Sequence, residues 1–149
     1  MVLYKTIMKI NESNFLYSLT TIRQRLFKFI ENELSSRNVA GVAPSYGDVL
    51  FALDQKECQT VQDVAKYTNK DKSTISSVLN KLETNGYIRK DKDTNDARIT
   101  NLTLTPKAKK LRPVLFEISR DLNNRMFDGL SDKEKETLFE LMGKILKNL

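Results

Sequence analysis

The segment 69–98, NKDKSTISSVLNKLETNGYIRKDKDTNDAR, carries the residues whose types and spacing point most directly to chemistry. Asp71 follows a turn and can accept hydrogen bonds from the free backbone N–H groups of a helix that it starts. Ile75, Val78, Leu79 and Leu82 then recur at the i, i+3, i+4, i+7 spacing of one buried helical face. At about 100° per residue, the opposite face presents Ser73, Ser77 and Asn80, flanked by Thr74, Ser76 and Lys81. No carboxylate occupies that outer face before the last turn. A solvated helix face usually mixes charges of both signs. Here the side chains are small hydroxyls and an amide with cations at the edges, which suit hydrogen bonding to a base edge.

The residues that follow close this helix and start a hairpin. Gly86 after Asn85 supplies a left-handed terminator, and Tyr87 beyond it can pack back onto Leu82. Residues 87–90 read as a short strand, and Ile99 to Thr105, with Leu102 and Leu104 alternating with threonines, as its partner. Between them Asp93-Thr94-Asn95-Asp96-Ala97-Arg98 is a run of turn-forming residues suited to a hairpin tip. The order is that of a helix-turn-helix followed by a wing.

Charge is concentrated on the same segment. The chain has 149 residues and a net charge of +6, enough length for one domain with a core of its own. Residues 66–112 carry 12 basic and 5 acidic side chains, or +7, whereas the remainder carries 13 and 14, or −1. A basic cluster that coincides with a helix bearing base-reading side chains is what a polyphosphate partner requires. Enzymatic classes fare poorly. Histidine is absent, so the commonest general base and metal ligand is missing, and there is neither a glycine-rich phosphate loop nor a Cys/His metal spacing. No cofactor or metal site is therefore expected. The single cysteine, Cys58, forms no internal disulfide and fits a reducing compartment. With Glu57 beside it, a thiolate is disfavoured, so Cys58 reads as a small buried residue rather than a redox sensor. Residues 1–10 lack a secretory apolar run, and no stretch approaches a membrane span, which gives cytoplasmic as the expectation.

The elements that must position the recognition segment follow from periodicity. A long first helix over residues 12–35 has an apolar stripe of Phe15, Leu19, Ile22, Leu26, Phe29, Ile30 and Leu34. After a loop at 38–44, Ser45 is placed to cap a second helix with Tyr46, Val49, Leu50 and Leu53 inward. The connection 56–59 has room for one brief strand. Thr60-Val61-Gln62-Asp63 is a capping box for a third helix, with Val61, Val64 and Ala65 facing the core. Beyond the wing, Thr105-Pro106 starts a fifth helix with Leu111, Leu115, Ile118, Leu122 and Met126 in its stripe, running to about Phe127. Gly129 breaks it. Ser131 and Glu134 form a capping box for the last helix, apolar at Leu138, Leu141, Met142, Ile145, Leu146 and Leu149. The fold class is thus mainly α with a small β-hairpin wing (α+β). Three amphipathic helices lie outside the winged-helix core, and a second copy of the chain would bury them.

Taken together, residues 44–107 resemble the MarR family of winged-helix transcriptional regulators. The resemblance rests on Pro44 to Leu50, on Thr60 to Ala65, on Lys72-Ser73-Thr74-Ile75 and on Leu82 to Ile88. Its most specific part is the wing pattern Asp93, Asp96-Ala97-Arg98, followed by Leu102 to Thr105. One departure is Ala108, which stands where the family commonly has glycine. The resemblance implies a single domain over 1–149, with a DNA-binding lobe at 45–105 and dimerisation helices at 1–37 and 106–149. It implies a homodimeric repressor on a near-palindromic double-stranded DNA site, released by a small organic effector, with no membrane role. Ser73, Thr74, Ser76, Ser77, Asn80 and Lys81 would meet bases and phosphates and Lys72 the backbone, with Lys90 also among the DNA-binding residues. Arg98 would enter the minor groove with Asp96 holding its guanidinium. Phe15, Leu19, Ile22, Leu138, Leu141 and Ile145 would form the dimer interface. The competing class is a winged-helix module for protein contacts or non-specific nucleic-acid binding, which discriminates weakly between sequences.

Overall fold

The structure, a computed structural model, describes residues 9–56 and 59–149. Cys58 lies outside the described residues, as does the start of the N-terminal segment assigned to dimerisation. A 3-10 turn, Glu12–Asn14, leads into α1 (Phe15–Ser36), and the chain continues through α2 (Gly47–Asp54), β1 (Gln59–Thr60) and α3 (Val61–Thr68). It goes on with α4 (Lys72–Thr84), β2 (Ile88–Lys92), β3 (Thr100–Leu104), α5 (Pro106–Met126) and α6 (Asp132–Lys147). The expected mainly helical architecture with a small wing is what is found.

The core gathers around α4. Val49 of α2, Val64 of α3, and Ile75, Leu79 and Leu82 of α4 are fully buried, and Leu102 of β3 nearly so. Tyr87, Ile88, Ala108 and Leu111 complete the same cluster. The strands form an antiparallel sheet in the order β1-β3-β2, with Lys90 opposite Leu102 and Arg89 opposite Thr103. The brief strand expected near residue 59 is β1, paired through Gln59 to Leu102.

Local chemistry sets most element ends. Thr60 and Asp63 form the reciprocal capping box of α3, and Ser131 and Glu134 that of α6. Thr105 caps α5 through the Ala108 N–H, with Pro106 in the first turn, so alanine at 108 does not disturb this start. Asn69 takes a left-handed conformation at φ +52° and turns α3 into α4. Gly86, at φ +73°, ends α4 as expected. Its N–H donates to the Glu83 carbonyl at 2.8 Å, and the Tyr87 N–H to that of Leu82 at 2.9 Å.

Two expectations need correction. Ser45 does not cap α2: Pro44 opens a 3-10 turn over Pro44–Tyr46, so Ser45 lies inside it and Tyr46 precedes the helix with no side-chain cap. The second wing strand begins one residue later than 99, and the first runs on to Lys92, because Lys92 still pairs with Thr100. The first-helix stripe, expected to lie outside the winged-helix core, is only partly covered by the described residues. Leu34 is buried against the rest, whereas Ile22 is 45% exposed.

Leu79→Ala is expected to remove about 2–5 kcal/mol of stability, because its fully buried side chain leaves a cavity under the recognition segment. Urea unfolding followed by circular dichroism measures it.

Candidate nucleic-acid interface

Helix α4 presents its outer face from a fixed start. Asp71 Oδ1 accepts the Thr74 N–H at 2.8 Å and the Ser73 hydroxyl at 2.5 Å, while Oδ2 accepts the Thr74 hydroxyl at 2.7 Å. The two hydroxyl bonds, Ser73 first, and the Thr74 N–H hold the Asp71 carboxyl far below the usual carboxylate range. Ser73 and Thr74 therefore spend their protons on the cap, and toward any partner they offer oxygen lone pairs. They suit a base donor better than a phosphate. Ser76 and Ser77, one turn further on, are exposed and make no side-chain hydrogen bond among the described residues. Lys72 and Lys81 flank them, exposed, with no ion pair among those residues.

Asn80 sits differently from the serines. Lys90 of β2 donates to Asn80 Oδ1 at 2.5 Å and forms an ion pair with Glu83 Oε2 at 2.9 Å. An ammonium has only protons to give, so the amide oxygen must face it and the Asn80 NH₂ is left pointing outward. The sequence reading includes Lys90 among the DNA-binding residues. In the structure its side chain is only 20% exposed and its charge is matched by Glu83, so it fastens α4 to the wing and orients Asn80. No spacing rule pairs a helix end with the strand that returns beside it, which is why this link was not legible.

The wing tip is a small polar lattice. Asp93 Oδ1 accepts the N–H groups of Asn95 and Asp96 at 2.9 and 3.2 Å, and its Oδ2 accepts the Asn101 amide at 3.0 Å. Asp96 takes the Arg98 guanidinium through Nε and a terminal nitrogen, both at 3.0 Å, and the Arg98 backbone N–H as well. The Arg98 side chain is nonetheless 91% exposed. Hydrogen bonds to Arg98 lower the Asp96 carboxyl, and those to Asn95 and Asn101 lower that of Asp93. Both carboxyls are depressed on folding. The order they confer on the tip is thus present above the ordinary carboxylate range and lost only as pH falls through the lowered values.

A second set of contacts ties the C-terminal end of α4 to the loop before α2. The Tyr87 hydroxyl donates to the Ala40 carbonyl at 2.6 Å, and Lys107 Nζ donates to the Asn85 carbonyl at 2.7 Å while lying 4.5 Å from the centre of the Tyr87 ring. Gly41, at φ +77°, packs so closely on Asn85 that any Cβ there would clash. These contacts, too, are tertiary and leave no mark in local sequence. Among the described residues no cluster of His, Cys, Asp and Glu has the arrangement of a metal site, and no helix is long and apolar enough to cross a membrane.

Comparison with known proteins agrees with this geometry. The sequence model of the MarR family matches residues 44–100. The HTH-type transcriptional regulator SarZ of Staphylococcus saprophyticus is 30% identical over 99 residues, 64% of this chain and 67% of that one. The HTH-type transcriptional regulator BilQ of Clostridium symbiosum is 25% identical over 138 residues, 91% and 92% of the two chains. Among solved structures, S. aureus MepR in its DNA complex superposes with a TM-score of 0.80 at 23% identity, covering 95% of this chain and 100% of that one. A basic, carboxylate-free outer face on a capped helix, beside a wing with an exposed arginine, thus stands in a chain similar to named transcriptional regulators. This chain belongs to the MarR family of winged helix-turn-helix proteins and is a DNA-binding regulator of transcription, not an enzyme.

Proposed function

We propose that the protein is a cytoplasmic homodimeric repressor that grips a near-palindromic operator and lets it go when a small organic effector binds. The observation that carries the dimer is the state of α6. Among the described residues none of α6 is buried, and Leu138, Phe139, Leu141 and Leu146 are 39%, 55%, 51% and 71% exposed. An apolar face of that extent on one helix calls for a partner surface. Ile22, Leu16 and Tyr17 of α1 are exposed as well, which supports the reading of 1–37 and 106–149 as dimerisation segments around a DNA-binding lobe at 45–105. Phe15, Leu19 and Ile145, half-buried in one chain, would complete the interface with Ile22, Leu138 and Leu141.

In such a dimer the two α4 helices enter successive major grooves about one helical turn apart. Ser76 and Ser77, with Ser73 and Thr74 as acceptors and the Asn80 amide as donor, read base edges. Lys72 and Lys81 meet phosphates, and Arg98, braced by Asp96, enters the minor groove. The effector has a place to go. A cleft of about 410 Å³, walled by Leu34, Leu50, Phe51, Leu111, Leu115 and Phe116, lies between α1, α2 and α5, where the lobe meets the dimer helices. Its size and apolar lining fit a small organic molecule.

Arg98→Ala is expected to weaken binding most on sites with an A·T-rich flank and to lower the salt slope by roughly one counterion. Mobility shifts across a salt series measure both, and an unchanged affinity and slope would reduce the Asp96–Arg98 pair to surface decoration.

Removal of residues from Asp132 onward is expected to give a monomer or an aggregate. Affinity for a full site should then fall by orders of magnitude, and for a half-site far less, because the second half-site no longer binds at high effective concentration. Sedimentation of both chains, with titration of one and two half-sites, tests the proposal; an intact chain that is monomeric at micromolar concentration removes its basis.

A further inference from the structure

Lys90 controls which end of the Asn80 amide the recognition helix can offer. In the sheet Lys90 is paired with Leu102, a residue only 1% exposed, so its stem runs along the core face of the wing toward α4. There its ammonium meets two groups one turn apart on that helix, Asn80 Oδ1 at 2.5 Å and Glu83 Oε2 at 2.9 Å. Glu83 supplies the countercharge that keeps the ammonium in place, and Asn80 takes the proton that decides its amide orientation. Asn80 itself is exposed, and its nitrogen donates to nothing among the described residues.

The orientation of an amide decides which base it can read. An asparagine free to turn pairs with adenine through both ends, its oxygen accepting from N6 and its nitrogen donating to N7. Asn80 does not bring both ends to one base edge while its oxygen is turned toward β2 and held by Lys90. What remains on the outer face is an NH₂ group with two protons. Guanine places two acceptors, N7 and O6, side by side in the major groove, whereas adenine sets an amino group beside N7 and thymine a methyl beside O4. A group that only donates therefore matches guanine, and against adenine it leaves an amino group without a partner.

We propose that Lys90 and Glu83 set the sequence specificity of α4: by holding the Asn80 oxygen they make the base opposite Asn80 a guanine and reject adenine. Neither residue touches the base, and both act as positioning residues through Asn80. The inference rests on the reading of α4 as the base-reading helix and adds to it the identity of one base in each half-site.

Full-length protein, Lys90→Met and Asn80→Ala are titrated by fluorescence anisotropy on an operator obtained by selection. Companion duplexes carry each of the four base pairs at every position of the half-sites. The position facing Asn80 is the one whose preference Asn80→Ala abolishes. There the unsubstituted protein is expected to favour G·C over A·T by about tenfold. Lys90→Met frees the oxygen for adenine and is expected to bring the two pairs within about twofold or to reverse them. A lysine that only supports the fold would instead weaken every duplex by the same factor. A second readout needs no DNA: in nitrogen-15-labelled protein, the side-chain NH₂ signal that Asn80→Ala removes is expected to move in Lys90→Met. An A·T preference at that position, a preference that Lys90→Met leaves unchanged, or an NH₂ signal that stays in place overturns the proposal while leaving α4 as the reading helix. Equal binding to every duplex, or failure of selection to yield an operator, removes that reading and the proposal together.

Discussion

Burial of one face of α4 is the constraint on which the rest depends. Ile75, Leu79 and Leu82 are fully covered, and α2, α3 and β3 each contribute a fully or almost fully buried residue to cover them. A helix whose inner face is this well packed cannot rotate, so its outer face is fixed relative to the wing. Both ends are also closed, by the Asp71 clamp at the start and by Gly86 and Lys107 at the finish. Recognition of a base edge needs side chains held within a fraction of an ångström, which a rigid element supplies better than a loop.

The same rigidity divides the surface cations by task. Lys90 and Lys107 carry positive charge, yet each is spent inside the protein, one on Glu83 and Asn80, the other on the Asn85 carbonyl and the Tyr87 ring. Lys70 is likewise paired with Asp48 at 2.5 Å. The +7 of residues 66–112 thus overstates what a DNA backbone meets. Lys72 and Lys81, on the outer face of α4 with no ion pair among the described residues, are the ones proposed for that role, and Arg98 stands clear of the surface while its own carboxylate partner aims it. Exposed ion pairs contribute little to stability in solvent, so the value of Asp96 lies in direction rather than in energy.

How much of this was legible follows from the range of each interaction. Caps, stripes and stops are local, and residues such as Asp71, Thr60, Ser131 and Gly86 announced them in the chain. The wing was readable because six turn-forming residues separate two alternating runs. Contacts between distant segments were not readable: Tyr87 to Ala40, Lys90 to Asn80, and Gly41 against Asn85 join residues that no periodicity relates. The Ser45 cap failed for a local reason of another kind, since Pro44 pulled that serine into a 3-10 turn. The outer face of α4 was read correctly as polar and carboxylate-free. The hydroxyl bonds by which Asp71 holds the protons of Ser73 and Thr74 depend on side-chain rotamers and were not legible in the sequence.

The central claim is that two copies of α4 read a defined DNA sequence together. Selection of bound duplexes from a random library by the full-length protein, followed by sequencing, addresses it directly. The account expects one enriched motif with two inverted half-sites whose centres lie about 10 base pairs apart. A library that emerges without sequence preference, or with a single half-site and no symmetry, would contradict it.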